Sequence, residues 1–271
     1  GNPLVNHPLV KGISFTGSSN LGIDINQKAA GRLAKTQLEL GGKNPAVVLD
    51  YQDPAAVAKQ IVSAAFAASG QRCTSISRVI VVKEKREELT EALLQEIKKI
   101  QVGPAWNPEV TMGPIVNKEH LNSIQEYLKI GMEEGARLRY GGEVLGEGEF
   151  SEGAFMKPAL LDLVTPKMRV AKEEIFGPVL CVIEVENKEE ALEVANDVEY
   201  GLAASIFTDR VSSAYQFADE VEVGMVHINH GTASAAHAPF GGLKQSGAGA
   251  FSIGSSNVEF FTEMKVIYFE Y

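Results

Sequence analysis

Short apolar, often β-branched runs alternate with amphipathic segments along most of the chain, and this alternation limits the possible folds more than any other feature. Pro45 to Leu49, Val79 to Val82, Val179 to Val185, Ser205 to Thr208 and Met225 to Asn229 are runs of strand length. Helical patterns lie between them. Asp53-Pro54 reads as an N-cap followed by proline at the first helical position. That helix runs through Val57, Ile61, Val62 and Ala65 to about Ala68, and Gly70 breaks it. Glu84 to Ile100 places Leu89, Leu93, Ile97 and Ile100 on one face, and Asn117 to Glu134 repeats the pattern through Leu121, Ile124 and Leu128. Glu189 to Asn196 and Ser212 to Glu220 are further helices. Strands that are apolar on both faces and separated by such helices need cover on both sides. The pattern predicts an α/β fold with a mainly parallel sheet covered by helices.

The 271 residues suit one large domain or two ordinary ones. With 45% hydrophobic and 22% charged residues, the chain is neither disordered nor collagen-like nor a disulfide scaffold. A net charge of −10 without a dense Lys/Arg stripe argues against a nucleic-acid partner. No run is long and apolar enough for a membrane span. Cys73 and Cys181 lie in unlike contexts and read as free thiols, which fits a reducing, cytoplasmic setting. The histidines are scattered and no Cys/His pair has metal-ligand spacing, so no metal site is expected.

Four places could carry chemistry. Cys73 follows a glycine-led polar turn, Gly70-Gln71-Arg72, and the adjacent Arg72 is expected to favour its thiolate. On the residues alone, nucleophile and small core residue both stand as readings of Cys73. Cys181, inside Val179-Leu180-Cys181-Val182-Ile183, reads as strand core. Glu39 sits between leucines and ahead of Gly41-Gly42. It is either an edge charge or a base whose pKa an apolar surround raises. Glu173-Glu174, before Ile175-Phe176-Gly177-Pro178, either caps a loop or offers a carboxylate to ribose hydroxyls. Phe15-Thr16-Gly17-Ser18 joins a strand-like segment to a helical run from about Leu21 to Ala34. Strand, Gly-Ser turn and helix form a phosphate-binding arrangement. The usual Gly-x-Gly-x-x-Gly dinucleotide fingerprint is absent.

Taken in order, Phe15-Thr16-Gly17-Ser18, Leu38 to Pro45, Gly70-Gln71-Arg72-Cys73, Glu173 to Pro178 and Pro239-Phe240-Gly241-Gly242 resemble the aldehyde dehydrogenase superfamily. The resemblance implies that Cys73 is the nucleophile, forming a thiohemiacetal and then a thioester, and that Glu39 activates the hydrolytic water. It implies that the Cys73 backbone N–H supplies half of an oxyanion site. It also implies NAD or NADP as cofactor, with Gly17 and Ser18 facing the pyrophosphate, Leu40 and Gly41 beside the nicotinamide, and Glu174 and Phe176 at the nicotinamide ribose and ring. The loop from Gly231 to Pro239 resembles one that closes over a substrate mouth.

In that family an Asn oxyanion donor and further cofactor contacts lie upstream of the Phe-Thr-Gly-Ser turn, whereas only 14 residues precede Phe15 here. The chain therefore resembles the second half of such an enzyme. Residues 1–41 are expected to be a cofactor-domain remnant with exposed, poorly packed surfaces. Residues 42–242 would form the catalytic domain, 243–259 a return segment to the cofactor domain, and 260–271 an oligomerisation strand. The expected activity is oxidation of a small aldehyde to an acid in a homo-oligomer, with closest likeness to semialdehyde or aromatic-aldehyde members. The alternative is a fragment that binds no cofactor and has at most cysteine-dependent esterase activity.

Overall fold

The apolar runs become strands because a sheet covered on both sides buries every side chain of a strand, whichever way it points. In the computed structural model, which describes residues 1–271, the chain begins with α1 (Asn2–Asn6), β1 (Gly12–Thr16), α2 (Ser19–Ala30) and β2 (Lys35–Glu39). It continues through β3 (Asn44–Val48), α3 (Pro54–Phe66), β4 (Ile76–Val82), α4 (Lys83–Ile97), α5 (Lys118–Glu133) and β5 (Arg137–Tyr140). An antiparallel pair, β6 (Val144–Leu145) and β7 (Phe155–Met156), leads to β8 (Ala159–Asp162), α6 (Arg169–Lys172) and β9 (Val179–Val185). Next come α7 (Lys188–Asn196), β10 (Tyr200–Gly201), β11 (Ala203–Phe207), α8 (Val211–Glu220) and β12 (Met225–Ile228). The short strands β13 (Leu243–Lys244) and β14 (Gly247–Ala248) and helix α9 (Ser256–Phe261) end the ordered elements.

Seven strands form one sheet in the order β12-β11-β3-β4-β9-β8-β5. Neighbours run parallel throughout except for β8 and β5, as the alternating pattern predicts. Alternate residues of each strand enter opposite cores. Val47, Ile80, Cys181 and Ile183 pack on the side of α5, α7 and α8, while Val48, Val79, Val81 and Val182 pack under α3 and α4. Ile61, Leu89, Leu93 and Ile97 are fully buried. Each such side chain contributes about 1.5–3 kcal/mol. The expected cap at Asp53 forms, its carboxylate accepting from the Ala55 and Ala56 N–H groups. Helix α3 ends at Phe66 rather than at Ala68, because Ala68 and Ser69 take left-handed backbone angles in a tight turn.

A second, separate sheet has the order β1-β2-β14, with β1 parallel and β14 antiparallel to β2. Leu38, Leu40 and Ile25 form its small core. Leu4, Leu9, Leu21 and Leu33 are exposed, as expected for this segment. Gln37 to Gly41 depart from that expectation and are buried, because the returning residues around β14 and Ser246 cover them. Phe260 and Phe261 end a helix, and residues 262–271 form no strand. A lone extended segment has no ladder partner for its backbone within one chain. No helix is long and apolar enough to cross a membrane.

Candidate active site

Strands β3, β4 and β9 are parallel neighbours, so their leading loops reach the same edge of the sheet. That edge gathers Leu40–Lys43 before β3, Cys73 before β4 and Glu174–Phe176 before β9. The glutamates are close enough for the charges of both Glu174 and Glu39 to act on Cys73. Residues separated by more than a hundred positions are thereby brought together.

Cys73 is half-buried. Burial is the main influence on its thiol and raises its pKa, and Glu174 and Glu39 push the same way. The backbone N–H groups of Thr74 and of Cys73 itself partly offset this. Arg72 does not play its expected part. Its guanidinium donates Nη2–H to the Ala64 carbonyl at 3.0 Å, and the Cys73 thiol is pushed up rather than down. Gly70 has φ +68°, and a Cβ there would collide with the Gly177 carbonyl. The turn before Cys73 therefore docks directly on the turn after Phe176. Thr232, at the start of the Gly231–Pro239 loop, donates its hydroxyl to the Thr74 carbonyl at 2.5 Å. The loop is thus tied one residue beyond Cys73. Cys181 lies fully buried in its strand, as predicted.

Glu39 ends β2 and is 6% exposed. Its Oε1 accepts from the Ser252 backbone N–H at 3.2 Å, and Oε2 is buried without a partner. Burial raises its pKa more than the Ser252 contacts lower it. The apolar surround therefore acts in the expected direction.

The Glu174 carboxylate packs against Gly41, and its Oε1 accepts from the Gly42 N–H at 2.8 Å. Burial raises its pKa, while the Gly42 bond, Lys43 and His120 oppose the rise. Phe176 has φ 53° and an exposed ring. Its carbonyl is 2.7 Å from His120 Nε2. Leu40 is placed differently from the others: its side chain packs over Gly22 in the small core. At the far end of β1, Gly17 and Ser18 are exposed where α2 starts. The Ser18 side chain makes no capping bond, which leaves the first-turn N–H groups of α2 free to meet an anion. An exposed helix N-terminus, a buried carboxylate on a glycine pair and an exposed aromatic ring together fit a dinucleotide's pyrophosphate, ribose and nicotinamide.

The chain matches the aldehyde dehydrogenase family over residues 1–267. It is 44% identical to an alpha-ketoglutaric semialdehyde dehydrogenase of Bacillus subtilis over 99% of its own length and 55% of the relative's. The chain belongs to the aldehyde dehydrogenase family. Its fold superimposes on betaine aldehyde dehydrogenase from Staphylococcus aureus in complex with NAD+, with a TM-score of 0.90, 33% identity and coverage of 94% of this chain and 51% of that one. An aldehyde dehydrogenase of Mycobacterium tuberculosis complexed with NAD+ gives a TM-score of 0.92 at 35% identity, covering 97% of this chain and 53% of that one. The chain therefore spans about half the length of the relatives it matches.

Sequence reasoning passed over several buried residues that lie on or brace the loops carrying Cys73 and Lys43. Asn44, Lys43 and Arg78 are buried polar groups at or near the start of β3 and β4. Arg78 donates to the carbonyls of Lys43, Val194 and Ala195. Lys43 Nζ has no hydrogen-bond partner. Asn44 and Arg78 stand directly before the apolar runs Pro45–Leu49 and Val79–Val82, and a polar residue at the mouth of such a run was the available signal. Ser252 had no such signal, since it meets Glu39 across 213 residues of sequence.

Proposed function

We propose that this chain carries the nucleophile, the general base and the nicotinamide-side contacts of an NAD(P)-dependent aldehyde dehydrogenase. The observation that carries this reading is the gathering of Cys73 and Glu174 at one edge of the large sheet, with Glu39 at the end of β2 also within electrostatic reach of the sulfur. The Cys73 thiolate adds to the aldehyde carbon, forming a C–S bond and placing negative charge on oxygen, where the Cys73 N–H stabilises it. A bound nicotinamide supplies the acceptor for the hydride that leaves this carbon. The resulting thioester is hydrolysed when Glu39 takes a proton from water, the hydroxide adds to the acyl carbon and the C–S bond breaks. The unpartnered Glu39 Oε2 is the oxygen left for that water.

Gly17 and Ser18 at the α2 N-terminus would hold the pyrophosphate, Glu174 the ribose hydroxyls, and Gly41 and Phe176 the nicotinamide. The NAD+ complexes of relatives support this assignment. The division of the chain near Gly41–Gly42, where the small sheet hands over to the large one, supports reading 42–242 as the catalytic unit and the flanking segments as parts of the cofactor unit. The relatives' names support a semialdehyde as substrate. The exposed apolar side chains of Met264, Ile267, Tyr268 and Phe269 support pairing of the tail between copies. Light scattering of the chain with and without residues 262–271 tests the pairing.

The reading is tested by titrating the chain with NAD+ in a calorimeter and following aldehyde-dependent formation of reduced nicotinamide, with Cys73→Ala as control. Binding, together with turnover lost in Cys73→Ala, supports it. Turnover retained in Cys73→Ala overturns it. Absence of dinucleotide binding, with activated-ester hydrolysis lost in Cys73→Ser, reduces it to cysteine-dependent esterase chemistry.

A further inference from the structure

Asn44 opens β3 and is 1% exposed. Its amide is fully engaged. Nδ2 donates to the Cys73 carbonyl at 2.7 Å and to the Ser75 carbonyl at 2.9 Å, and Oδ1 accepts from the Ala203 N–H at 3.0 Å. Only one orientation of the amide serves these partners, because the reverse would set oxygen against two carbonyls and nitrogen against an N–H. The side chain therefore bolts the loop that carries Cys73 to the leading ends of β3 and β11.

The consequence lies in the peptide that follows the cysteine. Its carbonyl belongs to Cys73 and its N–H to Thr74, and in a trans peptide the two point in opposite directions. Holding the carbonyl at Asn44 sets the direction of the Thr74 N–H, which is one of two groups that favour the Cys73 thiolate. Gly42 closes the space beside the same carbonyl, since a Cβ at that position would lie 2.5 Å from it. We infer that Asn44 is a positioning residue for the nucleophile: its amide, bonded to the Cys73 carbonyl, fixes the orientation of the Cys73–Thr74 peptide that follows the sulfur. This inference rests on the reading of Cys73 as nucleophile. The charged groups facing the sulfur, Glu174 and Glu39, both oppose ionisation, so the peptide N–H groups are the favourable influence that remains.

Alkylation of Cys73 by iodoacetamide across a pH series, quantified by peptide mass spectrometry, tests it. Buried Cys181 serves as the unreactive internal control. In Asn44→Ala the peptide is free to turn. The alkylation profile then moves up by about one pH unit, with alkylation about tenfold slower at neutral pH. A folded Asn44→Ala chain that keeps the native profile overturns the inference. Where Asn44→Ala does not fold by circular dichroism, Asn44→Ser decides, since a hydroxyl donates one bond where the amide donates two. An upward shift in that variant supports the inference and a profile coincident with the native one overturns it. Alkylation needs neither aldehyde nor dinucleotide. A failure of the aldehyde dehydrogenase reading shows separately, as turnover unaffected by Cys73→Ala.

Discussion

The Ser252 backbone N–H donates to Glu39 Oε1 at 3.2 Å, and the other carboxylate oxygen of Glu39 is buried with no partner. One oxygen is anchored and the other is left for a reacting group, which suits a general base. Glu39→Gln keeps the shape and the anchor but cannot take a proton. An activated ester should then give a burst of about one equivalent of leaving group, followed by turnover slowed about 10²-fold or more. Stopped-flow absorbance reads the burst, and mass spectrometry reads the acyl adduct on Cys73. Full steady-state turnover in Glu39→Gln would remove Glu39 from the mechanism.

The pH dependence of deacylation follows from the burial of the same carboxyl. Burial raises the Glu39 pKa above its ordinary value of 4.5. The basic form is therefore lost at a higher pH than for an exposed glutamate as the solution is acidified. The deacylation rate should fall on the acid side with a midpoint above that ordinary value. A midpoint at or below it would show that another group limits the step.

Lys43 gives a prediction about stability. It is 2% exposed, its Nζ has no hydrogen-bond partner, and burial lowers its pKa from 10.5 to about 8. Between those values the unfolded chain binds more protons than the folded one, so stability attributable to this residue rises with pH across that window. Below it the full penalty of the buried charge is present. Lys43→Met should stabilise the chain at pH 7 by about 3 kcal/mol. The advantage should shrink through the window and vanish above it. Thermal unfolding of both chains across pH checks this, and a constant difference between them would refute the account.

Arg78 gives the opposite expectation. Its three hydrogen bonds reach the Lys43 carbonyl and the last carbonyls of α7, at Val194 and Ala195. Cations at a helix C-terminus are favourable, and these buried acceptors have no water to replace the guanidinium. Arg78→Ala should cost about 3 kcal/mol or more, read as a lower denaturant midpoint. A midpoint within error of the native chain would show that these carbonyls find other partners.

Much of this protein was legible from the residues alone. The periods of the apolar pattern set which segments are strands and which are helices, and β9 ran from Val179 to Val185 as read. The cap at Asp53 is local chemistry and acts where it stands. The order of five short motifs was enough to indicate the family. Each of these signals is carried within a few residues.

The tertiary structure decided what meets what. Arg72 adjoins Cys73 in sequence but turns to the Ala64 carbonyl, because a side chain's direction depends on the packing around it. Glu39 meets Ser252, Glu174 meets Gly42, and Asn44 meets Cys73, across 213, 132 and 29 residues respectively. None of these pairings leaves a local mark in the sequence. They exist because parallel strands deliver their leading loops to one edge of a sheet. The terminal residues show the same limit, since a segment able to pair forms a strand only where a partner edge is present.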